Sequence, residues 1–273
     1  MPKLDSAPIT KDDLLLYLNT ADDFQFEIDV FRSCMEKDRT AEHGGTYQDP
    51  LTGKDRQFDI RMKFTQGSSI LRLAVECKNL KKHYPLLVSR IPRRREEAYH
   101  HAVRTGKENC WSYRFPPAHT MYRKNELVGK STTQVGKTAT KDKELTASDS
   151  EVFDKWSQAL ASSFDLVSDA GTSLNEFENT CLTTVIIPVL VVSDGTLWAI
   201  DYSANGQIAD EPKQVDECTI FVGKKYAFGK THSFMEHQIS HLHVYTKKGF
   251  DAFLEHIRSD DSWEDVFPLH TIT

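Results

Sequence analysis

Residues 57–80, QFDIRMKFTQGSSILRLAVECKNL, constrain the fold more tightly than any other part of the chain. Apolar and polar residues alternate on both sides of a short polar turn, the period of two half-buried strands in a hairpin. Phe58, Ile60, Met62 and Phe64 fall on one face of the first strand, and Leu71, Leu73, Val75 and Cys77 on one face of the second. Directly opposed residues of an antiparallel pair point to the same side of the sheet. Matching the apolar sets therefore places Phe58 against Cys77, Ile60 against Val75, Met62 against Leu73 and Phe64 against Leu71. The same register puts Asp59 opposite Glu76 on the other face, with Lys78 two residues further along; a slip of one residue would reverse every side chain.

Two carboxylates held together repel, and each has its pKa raised. A divalent cation relieves the conflict, and hard oxygen ligands suit Mg²⁺ or Mn²⁺. Such a metal lowers the pKa of a coordinated water, polarises a phosphoryl oxygen and neutralises developing charge. A lysine beside it can orient or deprotonate that water, which completes the parts needed to hydrolyse a phosphodiester. A solvated strand face with an incidental ion pair uses the same residue types, and a short motif alone does not choose between them. The preceding segment, DDFQFEIDVFRSCMEKDR (22–39), reads as a helix with Phe24, Ile28, Phe31 and Met35 as its apolar stripe, and Glu27 borders that stripe.

The order of a helix with Glu27, then DPLTGKDRQFD, then LAVECKN resembles the PD-(D/E)xK, or restriction-endonuclease-like, nuclease superfamily. The resemblance covers about residues 20–104, and Phe58 stands where the nominal motif has Pro. It implies an α/β fold, a mixed β-sheet flanked by helices. An acid lies on the first helix, an Asp on the second strand and an E-x-K on the third. By position, Asp59 and Glu76 would ligate Mg²⁺ or Mn²⁺ with the main-chain carbonyl of Cys77. Lys78 would be the catalytic lysine, and Glu27 would serve the metal directly or through water. The implied activity is a metal-dependent endonuclease, acting on DNA rather than RNA, in a restriction or anti-phage setting. The alternative is a nuclease-fold subunit that binds nucleic acid or a protein partner without cutting, or cuts only when activated.

Elsewhere, TKDDLLLYL reads as a short helix capped by Thr10, and HGGTYQDPLTGKDRQFDI as strand, turn, strand around Pro50 and Gly53. A helix is expected from Pro92 in SRIPRRREEAYHHAVR. Residues 128–150, rich in Thr, Ser, Gly and Lys, read as a mobile loop. SEVFDKWSQALASSFDLVSDAG is an amphipathic helix with Val152, Trp156, Leu160, Ser163 and Val167 down one side, ended by Gly171. TTVIIPVLVVSDGTLWAIDY reads as a hairpin around Asp194-Gly195, CTIFVG and HLHVYT as further strands, and GFDAFLEHIRS as a closing helix. With no internal repeat, the economical organisation is one domain, 1–273, with a core at about 10–171 and a β-rich C-terminal extension at about 172–273.

Between residues 78 and 95 the basic residues are Lys78, Lys81, Lys82, Arg90, Arg93, Arg94 and Arg95, with no acid among them. Of these, Arg90, Arg93, Lys81 and Lys82 are candidate phosphate contacts. Gln134 and Lys137 in TTQVGKT, and Gln158 in DKWSQAL, are further candidate substrate contacts. GKSTTQVGKT is not a phosphate-binding loop, because six residues rather than four separate Gly129 from Gly136. His237, His241 and His243 are expected to be packed or surface residues rather than zinc ligands.

The net charge of −6 argues against a uniformly basic nucleic-acid binder without excluding a local basic surface. Five widely spaced cysteines without a CxxC pair disfavour a disulfide framework or a cysteine zinc site. No segment reads as a signal peptide or a membrane span, so a cytoplasmic protein is expected. Cutting both strands of a duplex often takes two sites, which suggests a homodimer or partner protein that no residue here specifies.

Overall fold

The computed structural model describes residues 6–20, 22–37, 40–107, 109–138, 144–172, 181–228, 235–257 and 259–268. Two helices come first, α1 (Lys11–Thr20) and α2 (Asp23–Lys37). Thr10 caps α1 reciprocally: its Oγ1 accepts from the Asp13 N–H at 3.2 Å, and its own N–H donates to the Asp13 carboxylate at 2.9 Å. The buried face of α2 differs from the expected stripe. Val30 and Cys34 are buried, with Phe26 and Phe31 packed beside them, while Phe24 is 59% exposed and Met35 lies at the surface. Both stripes obey the helical period and share Phe31, so the period alone does not select the face that meets the sheet.

The strands β1 (Glu42–His43), β2 (Thr46–Gln48), β3 (Asp55–Gln57), β4 (Ile60–Gln66) and β5 (Ser69–Lys78) follow. β2 and β3 pair across the expected turn, where Gly53 has φ +67°. β4 and β5 pair with Ile60 opposite Val75, Met62 opposite Leu73 and Phe64 opposite Leu71, the register that the apolar sets require.

Two expectations fail in the next stretch, which forms β6 (Leu86–Pro92), β7 (His100–Thr105), β8 (Cys110–Phe115), β9 (Leu127–Lys137) and β10 (Leu145–Ser148). No helix begins at Pro92, because that residue ends β6; a short 3-10 turn at Arg95–Glu97 leads into β7. The segment 128–150 is no mobile loop in its described part. β9 pairs along its length with β6 and joins β14 (Glu217–Phe228) through Ile220 opposite Gly129, and β10 folds back on it. Thr and Ser suit a strand as well as a loop, and here the neighbouring strands decide.

The rest comprises α3 (Ser150–Thr172), β11 (Leu182–Val192), β12 (Leu197–Asp201), β13 (Lys213–Gln214), β14, β15 (Met235–Thr246), α4 (Lys247–His256) and α5 (Asp260–Val266). The expected α3 stripe is borne out, with Val152, Leu160, Ser163 and Val167 buried and Trp156 half-buried; the helix runs one residue past Gly171. The hairpin around Asp194-Gly195 is not. β11 pairs in parallel with β5 along one edge and, along the other, antiparallel with β7 and then parallel with β15, whereas β12 pairs with β6 and β13. Pro188 falls where that second edge passes from β7 to β15, a tolerable place for a strand residue lacking an N–H.

Among the described residues one large sheet has the order β1-β4-β5-β11-β15-β14-β9-β6-β12-β13, with β10 on β9 and the β7–β8 pair beside β11. The strands after residue 172 are therefore no appendage: β11 and β15 lie in the middle of the sheet. α2, α4 and α5 cover one face, packing Val30, Cys34, Phe250, Leu254 and Trp263 on Ile60, Leu73, Val75 and Val189. α3 covers the other, through Leu160, Phe164 and Val167 on Ala74 and Ile186. None of the described helices is long and apolar enough to cross a membrane.

Candidate functional site

Asp59 immediately precedes β4 and Glu76 lies near the end of β5, so the hairpin register presents both to the face that α3 covers. Asp59 is 7% exposed and Glu76 fully buried. The Asp59 Oδ2 accepts a hydrogen bond from the Cys77 N–H at 2.7 Å, which ties it to the strand opposite. From α3, Lys155 reaches between the two acids. Its Nζ lies 3.1 and 2.9 Å from Asp59 Oδ1 and Oδ2, and 3.2 Å from Glu76 Oε2. The remaining oxygen, Glu76 Oε1, is buried with no hydrogen-bond partner among the described residues.

The electrostatics follow from this crowding. Burial and then the Asp59 charge push the Glu76 pKa up to about 8, against the pull of Lys155. Burial works against the charge on Lys155, but the two carboxylates outweigh it and hold the ammonium above its ordinary value. Burial and the charge of Asp59 also raise Glu27, with His43 opposing. Burial keeps the Cys77 thiol well above its usual range, so the side chain stays neutral.

Glu27 is close enough to sense Asp59, but its own contact is with His43, whose Nε2 lies 2.7 Å from Glu27 Oε1 without hydrogen-bond alignment. Lys78 points to the ends of two helices, with Nζ 3.0 Å from Asp23 of α2 and 3.5 Å from Glu151 of α3. Asp23 also accepts from the Asn79 N–H at 3.1 Å, fastening the start of α2 to the end of β5.

The site is one rung of a longer ladder. Running opposite to β5, α3 sets Glu151 beside Lys78, Lys155 beside Asp59 and Glu76, Asp165 beside Arg61 at 2.8 Å, and Asp169 against Arg72. Asp59, Arg61, Arg72, Glu76 and Lys78 of the hairpin each meet an opposite charge on α3. Lys155 is the residue that sequence reasoning missed. Its signal was the polar stripe Glu151, Lys155, Asp165, Asp169 on α3, whose signs mirror those of the hairpin in reverse order.

The expected substrate contacts are dispersed. Arg90 is bound to Asp201 by two hydrogen bonds, at 2.7 and 3.0 Å. Arg93 is 2% exposed and engages His241, Thr219, Glu126 and the Arg123 carbonyl, so it has no surface to offer a phosphate. Gln134 is buried on β9 and reaches the Tyr84 carbonyl at 3.4 Å. Gln158 is half-buried, with its carbonyl accepting from the Tyr47 hydroxyl. Lys82 and Lys137 are exposed, and Lys81 is half-buried. His237, His241 and His243 are buried packing residues on β15, as expected.

Among the described residues, no group of three or more His, Cys, Asp or Glu side chains is placed to hold a metal ion. A metal at this site would rest on two carboxylates. Comparison with known proteins finds no matching family model, no matching curated protein and no matching solved structure.

Proposed function

We propose that the chain is a metal-dependent nuclease of the restriction-endonuclease-like kind, hydrolysing phosphodiester bonds of DNA in preference to RNA. The observation that carries the reading is the buried, register-locked pair Asp59 and Glu76, with one Glu76 oxygen that has no hydrogen-bond partner among the described residues. Such a pair is costly to bury and finds its use in cation binding. The connectivity also supports it. In the run β1, β4, β5 the Asp stands at the second strand and the Glu76-Cys77-Lys78 triplet ends the third, with Glu27 on the helix before them.

Mg²⁺ fits the donor set, because it usually binds one or two carboxylates and keeps several waters. Asp59, Glu76 and the Cys77 carbonyl would hold it; when bound it would activate water and screen phosphate charge. Lys78 would leave its exposed partners Asp23 and Glu151, a surface pairing worth about 0–1 kcal/mol, and turn to the water or the phosphate. Glu27 would support the cluster from α2. Exposed Lys82 and Lys137 remain candidates for the nucleic-acid backbone, and a homodimer or partner protein would supply a second cut.

Lys155 favours one second reading. By neutralising the acids it gives them a structural purpose, as expected for a nuclease-fold subunit that binds without cutting. Supercoiled plasmid and single-stranded RNA, incubated with Mg²⁺, Mn²⁺ or EDTA, separate the two. Cutting that needs metal and drops about 100-fold or more in Lys78→Ala supports the nuclease. Absence of both cutting and Mn²⁺ binding removes it.

A further inference from the structure

We infer that Lys155 is a built-in cation that holds the Asp59–Glu76 pair until a divalent metal displaces it, so that lysine and metal occupy the two carboxylates in turn. The inference rests on the metal-site reading above and adds to it a residue outside the E-x-K triplet.

Three of the four carboxylate oxygens are in contact with the Lys155 ammonium, at 2.9–3.2 Å. Asp59 Oδ2 already accepts the Cys77 N–H as well, which leaves Glu76 Oε1 as the oxygen without a hydrogen-bond partner among the described residues. A single unpartnered oxygen is too little for a dication, which must take both carboxylates to be held. Bridging them at about 2.1 Å from each oxygen would bring it within about 4 Å of the ammonium, and the like charges repel. Asp59 and Glu76 are the ion-pair partners of Lys155 among the described residues, and its side chain is 23% exposed. Among the described residues no other acid forms an ion pair with the ammonium, although Glu27 attracts it at longer range, and the side chain is in part accessible to solvent. The neighbouring rungs at Arg61 and Arg72 use other residues, so the exchange leaves α3 anchored.

The first test uses the unaltered protein. Acetic anhydride labelling, read by mass spectrometry, reports the accessibility of each lysine, while Mn²⁺ binding is measured in parallel by electron paramagnetic resonance. Labelling of Lys155 is expected to be slow in EDTA and severalfold faster once Mn²⁺ saturates the protein. In the second test Lys155→Met, which keeps the stem and removes the charge, binds Mn²⁺ about tenfold tighter or more, the effect of one neighbouring charge. If Mn²⁺ binds yet Lys155 labelling is unchanged and Lys155→Met gains no affinity, the exchange is wrong while the metal site stands. If neither protein binds Mn²⁺, the exchange and the metal-site reading fall together. Should Lys155→Met not fold, labelling of the unaltered protein decides.

Discussion

Glu76 joins a carboxyl group to complete burial, and its pKa of about 8 lies above the ordinary 4.5. The folded protein thus holds this proton more tightly than the unfolded chain does. The associated stability is full below about pH 4.5 and is lost as the pH rises towards 8, at up to about 1.4 kcal/mol per pH unit. Glu76→Gln removes that loss, so its melting temperature relative to wild type should climb steadily between pH 5 and 8 in EDTA. A flat difference would show that Lys155 fully neutralises the acid. Lys155→Ala leaves two buried acids uncompensated and should cost about 2–4 kcal/mol in metal-free urea unfolding, with Asp59→Asn in the same background recovering part of it.

At the scale of elements, α3 is the most legible part of the chain and α2 the least. The apolar side of α3 follows from Val152, Leu160 and Val167 alone, whereas α2 offers two stripes that share Phe31, and packing on Val75 and Leu73 selects the one with Val30 and Cys34. The α3 ladder predicts that Arg61→Ala, which loses Asp165, Ser162 and the face of Phe58, destabilises by about 1–3 kcal/mol. Adding Asp165→Ala should cost less than the two single changes summed, as a double-mutant cycle would measure. At the start of α4 the chain passes so close to its neighbour that a Cβ on Gly249 would lie 2.0 Å from the Asp216 carbonyl oxygen. Gly249→Ala should therefore lower the urea midpoint by an amount equivalent to about 1–3 kcal/mol.

In the whole molecule, the strands after residue 172 complete the centre of the sheet and carry a buried histidine cluster with them. His237 of β15 meets His101 of β7, and Tyr122 links His241 and His243 of β15 to His100 of β7. Burial holds His100 and His101 at about 4, His237 and His243 at about 3, and His241 well below its ordinary value. These groups protonate in the unfolded chain near pH 6.5 but stay neutral when folded. The stability they confer is present above that pH and is lost as it falls towards 4. Between pH 6.5 and 5 the five histidines outweigh the opposing Glu76. Unfolding should take up several protons there, and urea midpoints should fall steeply; a midpoint independent of pH across that window would contradict the burial.

The hairpin register, the pairing of Asp59 with Glu76, the cap at Thr10 and the buried side of α3 were set by the sequence itself. Each depends on local periodicity or on a bond within a few residues. Tertiary structure decided the partners of β11, the strand state of 127–137 and of the segment after Pro92, and the burial of Arg93. Those outcomes depend on which sheet edge lies open and on polar partners far away in the chain, Asp201 for Arg90 and Glu126 with His241 for Arg93. Lys155 belongs to the same class. The stripe Glu151, Lys155, Asp165, Asp169 marks a charged face of α3, but only the antiparallel crossing of α3 over β5 decides which hairpin charges that face meets.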